Sequence, residues 1–152
     1  MKKIAFSFLI LMSFISYTQE TKPQRLKNYN IDKTLAIQGY DPVTYFVGKP
    51  QVGKSEYSVV YEGVTYRFST KENMDIFKSN PTKYEPAYGG WCAYAMGSNG
   101  EKVEIDPETY KIVNGKNYLF YNKFFTNTLP DWNKMEAVLM KKADDNWSKI
   151  NK

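Results

Sequence analysis

The sequence predicts an α+β fold, with a small antiparallel sheet built from hairpins, a short helix after the first hairpin and a long C-terminal amphipathic helix. Three observations carry this prediction. Two stretches alternate with a period of two around glycine-containing turns, a capping signature follows the first of them, and an apolar stripe at helical spacing lies near the C terminus. A chain of 152 residues suits one domain with a substantial core.

The first hairpin is predicted over residues 55–69, where aromatic and β-branched residues alternate on both sides of Glu62-Gly63. Ser69, with Glu72 three residues later, is a capping-box pattern and predicts a helix over 71–79. We expect Met74 and Phe77 on the inner face of this helix, which ends where Asn80 precedes a proline.

Further strands are predicted near residues 102–121, and we expect them to complete the same antiparallel sheet. An Asp106-Pro107 turn and an Asn114-Gly115 turn separate the apolar runs, and Asn-Gly is a strong hairpin signal. The run from Trp91 to Gly97 is too short for its periodicity to distinguish a strand from a short helix.

The last helix is predicted over residues 130–149, with Thr128 and Pro130 at its start. An apolar stripe at spacings of three and four predicts packing on the sheet. A membrane-surface role for the stripe is disfavoured, because acidic residues interrupt the basic face that such a role requires. The stripe consists of Trp132, Met135, Leu139, Ala143, Trp147 and Ile150.

The N terminus has the pattern of a secretory signal peptide over residues 1–18, with two lysines before the apolar run from Ile4 to Ile15. This run is too short to span a bilayer comfortably, and no cysteine lies nearby to anchor a lipoprotein. We therefore predict an exported protein, periplasmic or secreted, without stable membrane insertion. Residues 19–37 are interpreted as a polar lead-in, and residues 38–152 as a single domain.

Composition excludes several classes of function. The formal net charge of +5 falls to about +3 once Lys2 and Lys3 leave with the signal peptide, and only Arg25 and Arg67 are arginines, so nucleic-acid binding is not expected. A chain without histidine cannot form a Ser-His-Asp triad, and it contains no Walker loop or dinucleotide fingerprint. A binding role is therefore favoured over an enzymatic one, while a catalytic pair of carboxylates stays open, although no pattern marks such a pair.

Three motifs resemble the YHS-domain proteins, in particular the exported bacterial members. They are "GYDPVTYF", "YSVVYEGVTYRFSTKENMDIFKSNPTKYEP" and "YGGWCAYAM", and together they cover roughly residues 38–96. The resemblance implies a small α+β domain with a role in heavy-metal binding. In the metal-binding relatives, cysteines follow the Asp-Pro-Val, follow the phenylalanine of the second strand and open the short helix.

This sequence departs from the family pattern at each of those three positions. Thr44 follows Asp41-Pro42-Val43, Ser69 follows Phe68, and Asn73 stands where the helix would open with a cysteine. Hydroxyl and amide groups are weak ligands, so the metal site of these relatives is predicted to be lost, and tight zinc binding is not expected.

The single cysteine, Cys92, leaves three interpretations open. It is a buried inert thiol, a reactive or intermolecularly bridged thiol, or a soft-metal ligand together with Met96. In the third case copper(I) is the metal that a thiolate and a thioether suit. Asp41 and Glu85 are the candidate polar site residues, although both also suit a structural role in turns.

Two functions follow from these observations. The first is a binding module of the cell envelope, for a metal ion, a metal-loaded partner protein or a small ligand in an aromatic pocket. The second is a thiol-dependent redox protein that uses Cys92. Reactivity of the native thiol distinguishes the two.

Overall fold

The computed structural model describes residues 22–152, and the predicted signal peptide lies outside them. It confirms the α+β class. Across the described residues, no helix is long and apolar enough to cross a membrane. The helices are α1 (Lys22–Asn28), α2 (Lys71–Ser79), α3 (Pro81–Tyr84), α4 (Ala93–Ser98), α5 (Leu129–Lys134) and α6 (Glu136–Ile150). The strands are β1 (Ile31–Asp32), β2 (Leu35–Ala36), β3 (Lys54–Tyr61), β4 (Val64–Phe68), β5 (Asp106–Val113), β6 (Lys116–Phe120), β7 (Asn122–Lys123) and β8 (Thr126–Asn127).

The predicted first hairpin is confirmed as β3 and β4, which pair antiparallel with Tyr61 opposite Val64. These strands belong to a four-stranded sheet in the order β1-β2-β4-β3. The contact between β2 and β4 is parallel and joins Leu35 to Thr65, so the sheet is not purely antiparallel as expected. The inner face of β4 buries Val64, Tyr66 and Phe68.

The later strands do not complete this sheet, which corrects the prediction. β5 and β6 form a separate two-stranded sheet joined by the predicted Asn114-Gly115 turn. Residues 102–105 are not a strand, and Asp106 begins β5 instead of marking a turn. The Asp106 carboxylate accepts hydrogen bonds from the backbone N–H of Glu108 and the hydroxyl of Thr109, at 3.1 and 2.7 Å. This local ring of hydrogen bonds accompanies a bulge in β5.

Helix α2 is confirmed over residues 71–79, but its cap differs from the prediction. Thr70 is the N-cap residue, and its hydroxyl accepts from the backbone N–H of Asn73 at 3.1 Å. Ser69 is directed to another partner, described below. Phe77 is fully buried on the inner face of the helix, and Met74 is half-buried beside it.

The predicted C-terminal helix is divided at Met135 into α5 and α6. Trp132 and Leu139 are buried as expected, whereas Met135 is 54% exposed, so the prediction for Met135 is wrong. Its backbone is not helical, at φ −139° and ψ 32°, which interrupts the helical spacing and removes the side chain from the stripe. Helix α6 packs chiefly on α4 and not on a sheet, with Gly97 close to the Leu139 backbone.

Buried side chains form two hydrophobic clusters that meet at β6. Leu119 belongs to the first cluster, while Tyr118 and Phe120 belong to the second. Successive residues of a strand point to opposite faces, which explains this division. The first cluster includes Tyr45, Val64, Tyr66, Phe68, Phe77, Cys92 and Ile105, and the second includes Tyr88, Met96, Trp132, Leu139 and Ala143.

Residues 22–37 belong to the fold, although we interpreted the segment as a lead-in. They form α1 and the two short strands β1 and β2, and the side chains of Arg25 and Asn28 are buried. Helix α1 is held by hydrogen bonds and an ion pair with distant parts of the chain, and not by an apolar face. Its sequence therefore shows no hydrophobic periodicity from which the helix could be predicted.

Candidate functional site

Asp41, whose carboxylate is buried, accepts hydrogen bonds from Thr44, Ser69 and Asn73. These three are the positions at which the family resemblance implied metal-site cysteines. Asp41 is fully buried, and one of its oxygens, Oδ2, accepts from the backbone N–H and the hydroxyl of Ser69, both at 2.8 Å. The same oxygen accepts from the Asn73 amide at 2.7 Å. Thr44 donates its hydroxyl to the Asp41 carbonyl oxygen at 2.7 Å. We call this group, Asp41, Thr44, Ser69 and Asn73, the Asp41 node.

Three different elements supply the Asp41 node. Asp41 and Thr44 lie in the loop that leads into the 3-10 turn Thr44–Val47, Ser69 directly follows β4, and Asn73 lies in the first turn of α2. The resemblance implied this convergence of a loop, a strand end and a helix start. Sequence reasoning did not identify Asp41 as its centre.

The node has little capacity left to hold a metal ion. The other carboxylate oxygen of Asp41, Oδ1, accepts from the Val43 backbone N–H at 2.9 Å, so the carboxylate receives four donors in all. Each carboxylate oxygen has about two lone pairs, so Oδ2, with three donors, is saturated, while Oδ1 keeps one lone pair free. The Thr44 hydroxyl also accepts from the Gln51 N–H at 3.1 Å. Among residues 22–152, no three His, Cys, Asp or Glu side chains are grouped so that they could bind a metal.

Cys92 lies apart from the Asp41 node, at the N-cap position of α4, and is fully buried. Its sulfur accepts from the Tyr121 backbone N–H at 3.4 Å and lies 3.5 Å from the Thr128 hydroxyl oxygen. Met96 follows one helical turn later, as the spacing allows. However, Cys92 packs in the first hydrophobic cluster and Met96 in the second. The two side chains therefore pack with different sets of buried neighbours.

Glu85, the second candidate polar residue, forms a buried ion pair with Arg25 of α1. It also accepts a hydrogen bond from the Tyr66 hydroxyl at 2.5 Å. Burial alone would lower the pKa of Arg25, but the hydrogen bond and negative charge of Glu85 outweigh it and hold that pKa above its ordinary value. Burial, then the charge of Glu85, raise the pKa of Tyr66 well above its ordinary value. The ion pair with Glu85 thus holds α1 against the rest of the fold.

An aromatic pocket of about 240 Å³ lies beside this ion pair. The rings of Tyr29 and Trp147 are 5.9 Å apart at 53°, and those of Tyr88 and Tyr118 are 5.8 Å apart at 59°. Because the rings of each pair are tilted, they do not stack on each other, and they line the walls of the pocket. The pocket is lined by Tyr29, Glu85, Pro86, Ala87, Tyr88, Gly89, Lys116, Tyr118, Asp144 and Trp147.

Tyr88 adopts a backbone conformation that disfavours a bulky residue. Its φ is 53° and ψ is 35°, in the left-handed region, and Gly89 follows at φ 60°. The Tyr88 hydroxyl donates to Asp144 at 2.9 Å, and burial together with the charge of Asp144 raises its pKa. Strain of this kind persists where the surroundings enforce it, and it is common at ligand sites.

Gly89 is also required by space, because a Cβ there would lie 2.8 Å from both the Trp147 and Tyr29 rings. Sequence reasoning missed this pocket, whose walls come from α1, the turn Ala87–Gly90, β6 and α6. The one local signal was the Tyr88-Gly89-Gly90 sequence, where consecutive glycines indicate left-handed backbone.

A comparison with protein-family models finds one match, the YHS domain, over residues 43–88. No curated protein and no solved structure matches the chain. The matched region contains Thr44, Ser69 and Asn73, and it ends at Tyr88 in the wall of the aromatic pocket. Asp41 and the elements that complete the pocket lie outside it. The chain therefore contains a YHS domain over residues 43–88.

Proposed function

We propose that this chain is a non-catalytic binding module of the cell envelope, and that its ligand is a small organic molecule with an ammonium group bound in the aromatic pocket. The observation that carries the proposal is Tyr88, which has a left-handed backbone, donates its hydroxyl to Asp144 and forms one wall of the pocket with its ring. The location rests on the signal-peptide pattern of residues 1–18.

The charges and rings of the pocket favour an organic cation. Aromatic rings attract cations through the negative potential of their faces, and rings grouped around a space are a known receptor for quaternary ammonium groups. Asp144 adds a negative charge at the wall, while Glu85 is already paired with Arg25. Lys116 also lines the pocket, and its positive charge would repel a second positive charge on the ligand. We therefore expect a ligand with a single ammonium group.

A metal-handling role, which YHS domains have in general, finds less support in the residues present. The Asp41 node holds one carboxylate and no thiolate, and its oxygens already accept from four donors. We expect negligible zinc affinity. Weak copper(I) binding that depends on Cys92 is the remaining metal hypothesis, and a Cys92→Ser variant tests it directly by metal titration. Stoichiometric zinc that survives dialysis against a chelator would contradict this expectation.

Calorimetric titration with two probes of equal shape tests the proposed function. Choline carries a quaternary ammonium group, and 3,3-dimethylbutan-1-ol is its neutral isostere. We expect choline to bind at least about fivefold more tightly, since a cation–π contact contributes about 1–2 kcal/mol when desolvated. Trp147→Leu and Asp144→Asn should each weaken choline binding, whereas Tyr57→Leu, which does not alter the pocket lining, should not.

Three results would contradict the proposal. One is equal affinity for choline and its neutral isostere, because the charge of the ligand would then play no part. The other is choline binding that persists in both pocket variants, because the ligand would then occupy another place. Absence of any choline binding by the folded protein would equally exclude the ligand class proposed.

A further inference from the structure

The aromatic pocket carries charged groups of opposite sign on two different walls. Lys116 and Tyr118 line it from β6, and because they are two residues apart on a strand, their side chains lie on the same face. Asp144 and Trp147 line it from α6, and their spacing of three places both on one face of that helix. The positive group therefore belongs to the strand wall, and the negative group belongs to the helix wall.

The ring of Tyr88 lies between these two walls. Its centroid is 5.8 Å from that of the Tyr118 ring on β6 and 6.5 Å from that of the Trp147 ring on α6. Burial first, and then the negative charge of Asp144, raise the pKa of Tyr118 above its ordinary value, so the charge of the helix wall acts as far as the strand wall. A ligand seated against Tyr88 is therefore bounded by the negative wall on one side and by the positive wall on the other.

Lys116 is half-buried and begins β6 directly after the Asn114-Gly115 turn. The backbone beside it is well fixed, because Asn117 is fully buried and forms a parallel bridge with Pro86, next to the turn Ala87–Gly90. A lysine ammonium group carries three N–H donors, so it can bond to the protein and to a ligand at once. A negative group on the ligand would therefore be attracted to the strand wall.

The other charges of the pocket limit the negative group to a single charge. Glu85 is paired with Arg25, and Asp144 lies on the helix wall, so Lys116 is the lining residue with which an anionic group would pair. A phosphate monoester carries a charge of about −1.5 to −2 at pH 7, which exceeds the charge of one lysine. We propose that the ligand is a small zwitterion, with its ammonium group against the aromatic rings and Asp144 and with a carboxylate that accepts from the Lys116 ammonium group. This inference rests on the proposed function.

Calorimetric titration with glycine betaine and choline tests this inference. Both probes carry a trimethylammonium group, but glycine betaine ends in a carboxylate where choline ends in a hydroxyl. We expect the wild-type protein to bind glycine betaine at least about fivefold more tightly than choline, the order expected for an ion pair at a partly exposed position. Phosphocholine, whose phosphate carries more than one negative charge, should bind more weakly than glycine betaine.

Lys116→Gln should change the two affinities in opposite directions. Glycine betaine loses its counter-charge and should bind about fivefold more weakly, whereas choline should bind more tightly because a repelling positive charge is removed. Loss of folding would weaken both probes, so the opposite signs separate the role of Lys116 in binding from a structural role. Lys49→Gln, at an exposed position outside the pocket lining, is the matched control and should change neither affinity.

Three results would overturn the inference and leave the proposed function intact. The first is choline binding that depends on Trp147 and Asp144, together with an affinity for glycine betaine no higher than that for choline. The second is a preference for glycine betaine that persists in Lys116→Gln, because the carboxylate would then bind elsewhere. The third is tighter binding of phosphocholine than of glycine betaine, which would assign a phosphate to the strand wall. Absence of choline binding contradicts the proposed function itself and, with it, this inference.

Discussion

Asp41 and Asn73 are joined by a hydrogen bond of 2.7 Å that connects a loop to a helix 32 residues later in the chain. Asn73 is one of the three positions at which the family resemblance implied a metal-site cysteine. Here its amide is a donor to a buried carboxylate, and it also lies 3.2 Å from the Ser69 hydroxyl. Through these hydrogen bonds Asn73 helps to join the loop of Asp41, the end of β4 and the start of α2.

Asp41→Asn should lower the free energy of unfolding by about 2–3 kcal/mol. The amide nitrogen of asparagine cannot accept the hydrogen bonds that Ser69 and Asn73 donate to Oδ2, and buried donors left without an acceptor are costly. Urea unfolding followed by circular dichroism measures the change. Asp131→Asn, which alters an exposed carboxylate, is the control and should cost much less. Equal stability of the two variants would refute a structural role for the node.

Arg25→Met should destabilise the fold by about 3–5 kcal/mol, because Glu85 would remain buried without its counter-charge. Adding Glu85→Met should recover part of the loss, since an apolar pair can replace a buried ion pair. Arg67→Met changes the other arginine, for which the described residues show no ion pair, and should have a smaller effect. A double variant less stable than Arg25→Met would argue against unpaired charge as the cause.

Stability should be nearly constant from about pH 6 to about pH 9 and should fall above about pH 10. The chain has no histidine, so no side chain has an ordinary pKa between about 5 and 8. Burial raises the pKa values of Tyr45, Tyr66, Tyr88 and Tyr118 above the ordinary 10.0.

The free energy of unfolding should decrease at alkaline pH because these buried tyrosines have raised pKa values. Above pH 10 the unfolded chain releases tyrosine protons that the folded protein retains, so the stability they contribute is lost as pH rises towards the folded-state values. Urea unfolding across this range, together with the ultraviolet absorbance of phenolate, measures both parts. Ionisation of all tyrosines near pH 10 in the folded protein would contradict the prediction.

Gly97→Ala should destabilise the packing of α4 on α6 by about 1–3 kcal/mol. Alanine favours a helix over glycine by about 1 kcal/mol, but a Cβ here would lie 2.4 Å from the carbonyl oxygen of Leu139. Backbone cannot yield as a flexible side chain can, so the steric cost should exceed the gain. Thermal unfolding compares this variant with Ser98→Ala, an exposed position on the same helix. A rise in melting temperature for Gly97→Ala would show that the helices separate easily.

Cys92 should react with an alkylating reagent only at the rate at which the structure opens. Its side chain is fully buried, and a thiolate must be accessible to attack. Mass spectrometry after timed alkylation, in buffer and in denaturant, measures the protection. Rapid modification of the folded protein would instead support the thiol-dependent redox function.

Local signals sufficed for the elements whose partners are close in sequence. The hairpin of β3 and β4 and the helix α2 follow one another directly, and alternation and the Asn80-Pro81 stop were enough to predict them. The capping residue was displaced by one position, because Ser69 bonds to Asp41 and leaves Thr70 to cap the helix. Asp41, 28 residues before Ser69, thus determines which of the two adjacent hydroxyl residues caps the helix.

The remaining features depend on contacts that no local pattern shows. Arg25 meets Glu85 across 60 residues, so a polar segment interpreted as a lead-in became part of the fold. The aromatic pocket combines residues that are far apart in the sequence, from Tyr29 to Trp147. Each of its aromatic residues, taken alone, resembles an ordinary core aromatic. Thr44, Ser69 and Asn73 all bond to Asp41, and it was the family resemblance, not a local pattern, that grouped these three positions.

The position of β6 between the two hydrophobic clusters has a consequence for how the molecule opens. Leu119 packs on one side with the YHS region, and Phe120 packs on the other with Trp132. Withdrawal of this strand would expose both clusters to water at once. The matched domain and the C-terminal helices therefore cannot melt as separate foldons, and backbone amides of β6 are those expected to exchange with solvent only through global, cooperative unfolding.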